Sequence, residues 1–113
     1  MTRLDGLHLM MTLRLWEDLT PETIREWLTA TPAAIGMMAI TAPSVTGSVG
    51  NLKGFIVIAE SHLSLHQSGM TVWADVFSCK PFNEEKALKL TAEILKAKLI
   101  DHTSLSRGSE RNS

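Results

Sequence analysis

The chain has 113 residues and a mass of 12.4 kDa, enough for one domain around one core and too little for two. Hydrophobic residues make up 44%, charged residues 20%, and 11 basic against 12 acidic side chains leave a net charge of −1, so neither a nucleic-acid footprint nor a polybasic membrane surface is present. A single cysteine, Cys79, excludes an internal disulfide; it reads as a small buried hydrophobe or as a reactive thiol in a reducing compartment, and the expected location is cytoplasmic.

Residues 7–16 alternate strictly, with Leu7, Leu9, Met11, Leu13 and Leu15 on one side and His8, Met10, Thr12, Arg14 and Trp16 on the other, as in a half-buried strand. The interruptions at His8, Thr12 and Arg14 make this stretch neither a signal-peptide core nor a membrane span. Thr20 then caps a helix that carries Pro21 in its first turn and Ile24, Trp27 and Leu28 on its apolar stripe; it is expected to stop near Thr29, before Pro32 and Gly36. Residues 37–41 read as a short strand, and residues 43–50, rich in Ser, Gly and Thr, as a loop.

Residues 54–59 form an unbroken apolar run, expected as a central strand buried on both faces. Residues 61–66 and 71–77 alternate and make a hairpin turning near Gly69. Asn83 caps a second helix with Ala87, Leu90, Ile94 and Ala97 on one face, and residues 99–104 add a last strand. The expected domain spans 1–104, with a disordered tail over 105–113. Strand, helix, four strands, helix, strand, joined by hairpins rather than crossovers, is the order of an α+β fold: a mainly antiparallel sheet with two helices packed on one face.

Glu60, Ser61, His62, Ser64, His66, Asp75 and Cys79 crowd in and around the central hairpin. His62 and His66 have the spacing that chelates a metal on a helix, but on a strand they stand roughly 13 Å apart, beyond the reach of one ion. A Cys/His or Ser/His acyl-transfer pair lacks both a Gly-x-Ser-x-Gly elbow and a helix N-terminus near Cys79. Histidines and serines lining a solvated sheet face, with Cys79 simply packed, is the plain structural alternative. A hairpin centred near Met70 places Ser61 opposite Cys79, with Cβ atoms about 5 Å apart. His66 then lies roughly 16 Å from Ser61 on the other side of the strand. Within one chain it cannot serve Ser61, whereas a two-fold dimer would bring it there twice.

Ala59-Glu60-Ser61-His62-Leu63-Ser64-Leu65-His66, followed by Asp75-Val76-Phe77-Ser78-Cys79, resembles the S-adenosylmethionine decarboxylases of bacteria and archaea. The likeness extends from Gly6-x-His8-Leu9 through Gly54 to Arg107-Gly108. It implies that family's α/β sandwich, a homodimer with active sites at its interface, and a self-cleaving precursor cut between Glu60 and Ser61. By the resemblance, Ser61 becomes a pyruvoyl cofactor that forms a Schiff base with an amino-acid-type substrate. His66 is the processing base, and Cys79 the proton donor in decarboxylation.

The chain departs from the family at three places. Lys53 stands where a serine usually precedes the glycine matching Gly54. An adenine-stacking aromatic would fall near Gly47, and Gln67-Ser68-Gly69-Met70 replaces a Trp-Pro-Glu whose glutamate resembles a ribose ligand. Trp73 or Trp16 could replace the lost aromatic, although a core role is expected for each. The resemblance implies S-adenosylmethionine decarboxylation in polyamine synthesis. The alternatives are a pyruvoyl-dependent arginine or ornithine decarboxylase on the same fold, or an uncleaved paralogue that regulates an active partner.

Overall fold

The structure, a computed structural model, describes residues 4–59 and 61–108. Its elements are β1 (Leu4–Leu15), α1 (Pro21–Ala34), β2 (Ser44–Ser48), β3 (Asn51–Ile58), β4 (Ser61–Ser68), β5 (Thr71–Ser78), α2 (Glu84–Leu95) and β6 (Ala97–Gly108). The six strands form one sheet in the order β2-β3-β4-β5-β1-β6, and every neighbouring pair is antiparallel. Because successive side chains point to opposite faces, the alternation read from the sequence becomes a division of labour. Leu9, Met11 and Leu13 of β1, Ile56 and Ile58 of β3, Leu63 and Leu65 of β4, and Val72, Ala74 and Val76 of β5 are all buried on the helical side. The opposite face has no layer over it among the described residues, and there Phe55 and Trp73 are each 44% exposed. Among the described residues no helix is long and apolar enough to cross a membrane.

The helices form where the caps predict. Thr20 accepts the Thr23 N–H at 3.2 Å, Pro21 opens α1, and Asn83 accepts the Lys86 N–H at 3.0 Å to start α2. The expected stripe of Ile24, Trp27 and Leu28 is buried throughout. Trp27 Nε1 donates to Thr91 Oγ1 at 2.9 Å, and that hydroxyl donates to the Ala87 carbonyl at 2.7 Å, so both polar atoms joining the helices are satisfied in the core.

Helix α1 sits directly on β3. A Cβ at Gly54 would lie 2.4 Å from Ile24 Cγ2 and 3.2 Å from Leu28 Cδ1, so the missing side chain is what permits the contact. Gly54→Ala should therefore lower unfolding free energy by about 1–3 kcal/mol, the usual cost of overpacking a tight core. Denaturant midpoints check this; an unchanged midpoint would mean that α1 lifts off the sheet at no cost.

Several sequence expectations need correction. Helix α1 continues to Ala34 with Pro32 inside it, because a proline within the last turn forfeits only one late hydrogen bond. The Gly36 N–H to Ala33 carbonyl and Met37 N–H to Pro32 carbonyl bonds, 3.2 and 2.7 Å, then close the helix. Residues 37–41 shrink to a single bridge between Ala39 and Ile58, whereas the expected loop contains β2, the true edge partner of β3. β3 is buried on one face only and lies second from the sheet edge. The buried face of α2 is Ala87, Thr91 and Leu95, one step round from the expected stripe, and Ala97 already belongs to β6. β6 runs through Gly108, past the expected domain limit at 104; residues 109–113 lie outside the described residues.

Candidate active site

Ser61 opens β4 on the helical side of the sheet, 7% exposed, and its Oγ accepts the Cys79 backbone N–H at 3.1 Å. The hairpin register is one residue tighter than expected. His62 pairs with Phe77 and Ser68 with Thr71, so continuing the ladder puts Ser78, not Cys79, opposite Ser61. The cause is the turn: only Gly69 and Met70 separate the strands, and Gly69 takes a φ of 61° there. The serine and the cysteine meet nonetheless, because the chain leaving β5 curls onto Ser61 Oγ. Cys79 is half-buried at this bend.

Ser78 Oγ holds the next step, accepting the Lys80 N–H at 3.0 Å and donating to Met37 Sδ at 3.6 Å. A cleft of about 320 Å³ opens beside these residues, lined by Gly36, Met37, Met38, Ala59 and Lys80. Its wall is braced by the Ala59 N–H bond to the Met38 carbonyl at 3.1 Å. Met37, Met38 and Lys80 carry no motif that would have marked them in the sequence; only the bend after β5 and the end of α1 bring them together. Glu60 lies outside the described residues.

His66 stands on the open face, exposed, five positions along β4 from Ser61 and on its other side. The two are not brought together within one chain, as the strand geometry requires. The neighbours of His66 are Lys53 across β3 and Trp73 across β5, with ring centroids 5.9 Å apart in the second pair. His62 is committed elsewhere, stacked between Phe55 and Phe77 with centroid separations of 5.6 and 5.5 Å. Phe77 meets His8 edge-on at 5.8 Å, and His8 Nε2 lies 3.5 Å from Asp75 Oδ2. Ser64 pairs with Asp75 on the same face. No three His, Cys, Asp or Glu side chains converge on a metal-sized site among the described residues.

Two positions at which the resemblance leads one to expect nucleoside contacts, Gly47 and Gln67, have structural occupations of their own. Gly47 lies in β2 with a φ of 101°, and a Cβ there would be 2.3 Å from the Asn51 carbonyl oxygen, so this backbone admits no aromatic side chain. Gln67 is 2% exposed; its Oε1 accepts the Leu52 N–H at 3.3 Å and its Nε2 donates to the Gly69 carbonyl at 2.9 Å, pinning the β4–β5 turn to β3. The alternation carries a signal for this role, since a glutamine at position 67 continues the inward set of Ser61, Leu63 and Leu65. The core roles expected for Trp73 and Trp16 do not hold, because they are 44% and 69% exposed and Trp27 alone of the three fills the core.

The sequence model described as S-adenosylmethionine decarboxylase matches residues 18–108. The crystal structure of the adenosylmethionine decarboxylase from Aquifex aeolicus VF5 is similar at a TM-score of 0.80, over 98% of this chain and 99% of that one. At 23% identity that likeness speaks for the fold. No curated protein sequence matches. The sequence match takes in α1, strands β2 to β5 and α2, and with them Ser61, His66 and Cys79; on that extent the chain belongs to the S-adenosylmethionine decarboxylase family.

Proposed function

We propose that the protein is a self-cleaving, pyruvoyl-dependent decarboxylase of polyamine biosynthesis, working as a cytoplasmic homodimer. The observation that carries this reading is Ser61: a buried serine at a strand start, its Oγ oriented by the Cys79 N–H at 3.1 Å, beside a cleft. A cofactor made from the chain itself needs a hydroxyl held in one place and shielded from bulk water, and Ser61 meets both needs. Its Oγ adds to the Glu60 carbonyl carbon and the peptide C–N bond breaks, leaving an ester. His66 removes the Ser61 α-proton, the Cβ–Oγ bond breaks, and Glu60 departs as a carboxylate. Water then replaces nitrogen at the new N-terminus and ammonia leaves. The resulting pyruvoyl ketone supplies an electron sink for loss of carbon dioxide from an α-amino acid. Cys79, held beside Ser61, returns a proton to the substrate Cα.

The placement of His66 supports the homodimer. It shares the open face with Phe55, Phe77 and Trp73, a partly apolar surface that a second copy would cover. In this reading the base for Ser61 is the His66 of a second copy, since the chain's own His66 stands on the opposite side of β4. S-adenosylmethionine is the substrate the family membership suggests, and arginine or ornithine is the alternative that Gly47 and Gln67 favour. Lys53, directly opposite His66, favours the other reading, an uncleaved chain that regulates an active partner.

Denatured intact mass decides between the two readings. The wild-type chain should separate into a piece ending at Glu60 and a piece beginning with a blocked residue at position 61. A single species near 12.4 kDa after prolonged incubation would defeat self-cleavage and leave the regulatory reading standing.

A further inference from the structure

We infer that Ser78 is a positioning residue: its buried hydroxyl fixes the bend after β5 that holds the Cys79 N–H on Ser61 Oγ. The part this plays in cleavage rests on the self-cleavage proposed above; the hold itself does not.

Ser78 is the last inward-facing residue of β5, after Val72, Ala74 and Val76, and it is fully buried. Ala74 in the same row shows that a small apolar side chain packs there, and a buried hydroxyl costs stability unless it is bonded. Ser78 Oγ is bonded in both capacities. It donates to Met37 Sδ at 3.6 Å, a weak bond because thioether sulfur is a poor acceptor, and it accepts the Lys80 N–H at 3.0 Å. The second bond closes a ring from the serine side chain to the main chain two residues on, and Cys79 is the residue it encloses.

That enclosed residue is the one that reaches Ser61. The Cys79 N–H donates to Ser61 Oγ at 3.1 Å, so the consecutive amides of Cys79 and Lys80 end on the serine hydroxyls of two neighbouring strands. Both amides lie past the end of β5, beyond the β4–β5 ladder, and side-chain bonds take over from the ladder in directing them. A serine hydroxyl turns among staggered rotamers, and an N–H donated to it from a fixed direction favours one of them. The reactivity of Ser61 Oγ depends on that alignment, since small misplacements of a reacting atom slow a reaction steeply.

The test has two readouts on the full-length chain. Cys79 is the sole cysteine, so isotopic labelling of cysteine nitrogen gives a single amide signal by NMR. In the His66→Ala chain, expected to stay uncut, adding Ser78→Ala should speed solvent exchange of that amide about fivefold or more, as adding Ser61→Ala does by removing the acceptor itself. Adding Ser78→Thr should leave it within about twofold, because the hydroxyl is kept. With His66 restored, intact mass during cell-free translation should show Ser78→Ala cutting about tenfold or more slowly than wild type, and Ser78→Thr within about threefold. If Ser78→Ala fails to fold, judged by circular dichroism, Ser78→Cys, which keeps the size and only a weak acceptor, carries the cleavage comparison. An exchange rate unchanged by Ser78→Ala overturns the inference, as does faster exchange with cleavage at the wild-type rate, or a folded threonine variant as slow as the alanine one. A wild type that never cuts overturns self-cleavage instead, and the exchange rates then still decide whether Ser78 holds Cys79.

Discussion

Ser61→Ala chains and His66→Ala chains should each stay uncut alone, yet regain one cleavable site per heterodimer when co-expressed. The first variant lacks the nucleophile but keeps the base, and the second lacks the base but keeps the nucleophile. β4 presents Ser61 to the helical side and His66 to the open face, so no relaxation of a single chain brings the two together without turning the strand over. In a two-fold dimer the exchange is reciprocal. The site made of Ser61 from one variant and His66 from the other is complete, and the second site of that heterodimer lacks both groups. Random pairing makes half the dimers mixed, and half the chains in them carry the intact Ser61, so about a quarter of all chains should be cut. Differently tagged chains and native mass spectrometry confirm that heterodimers form. Heterodimers that form and stay uncut would place the base elsewhere, with His8 and His62 the remaining histidines of the open face.

How much of this arrangement was legible in the sequence varied with what fixes each part. Alternation in residues 61–66 and 71–77 is a period-two signal that only a half-buried strand satisfies, so the hairpin and the opposite facing of Ser61 and His66 were readable. The register was not, because it depends on whether the turn centres on Met70 or between Gly69 and Met70, and the buried amide of Gln67 is bonded within the tighter turn. β2 is not legible in the sequence because an edge strand of Ser, Val, Thr and Gly buries almost nothing, and its pairing rests on backbone bonds that composition does not record. β3 looked buried on both faces because Phe55 and Val57 are apolar; they face the open side, where Phe55 stacks on His62. Met37, Met38 and Lys80 reach the site only through the end of α1 and the bend after β5, contacts remote in sequence.

The cleaved enzyme should show less than about a tenfold advantage in kcat/KM for S-adenosylmethionine over ornithine or arginine, measured as carbon dioxide release in parallel. The three candidate substrates share an α-amino acid head that Ser61 and Cys79 would handle alike, so discrimination must come from groups around the distal end. Both places where the resemblance puts the nucleoside contacts are otherwise used. The Gly47 backbone has no room for a stacking ring, and the Gln67 amide is bonded at both ends to the main chain. A stacked base and a charged ribose contact are each worth a kcal/mol or more in a dry site, and this chain supplies neither at those positions. A hundredfold preference for S-adenosylmethionine, about 2.7 kcal/mol, would show that another group does the gripping. Trp73 is then the residue to test: it is exposed on the open face beside His66, where a second copy of the chain would close over it. Trp73→Ala should in that case lower kcat/KM for S-adenosylmethionine while leaving the basic amino acids unchanged, because only the adenosyl group offers a ring to stack.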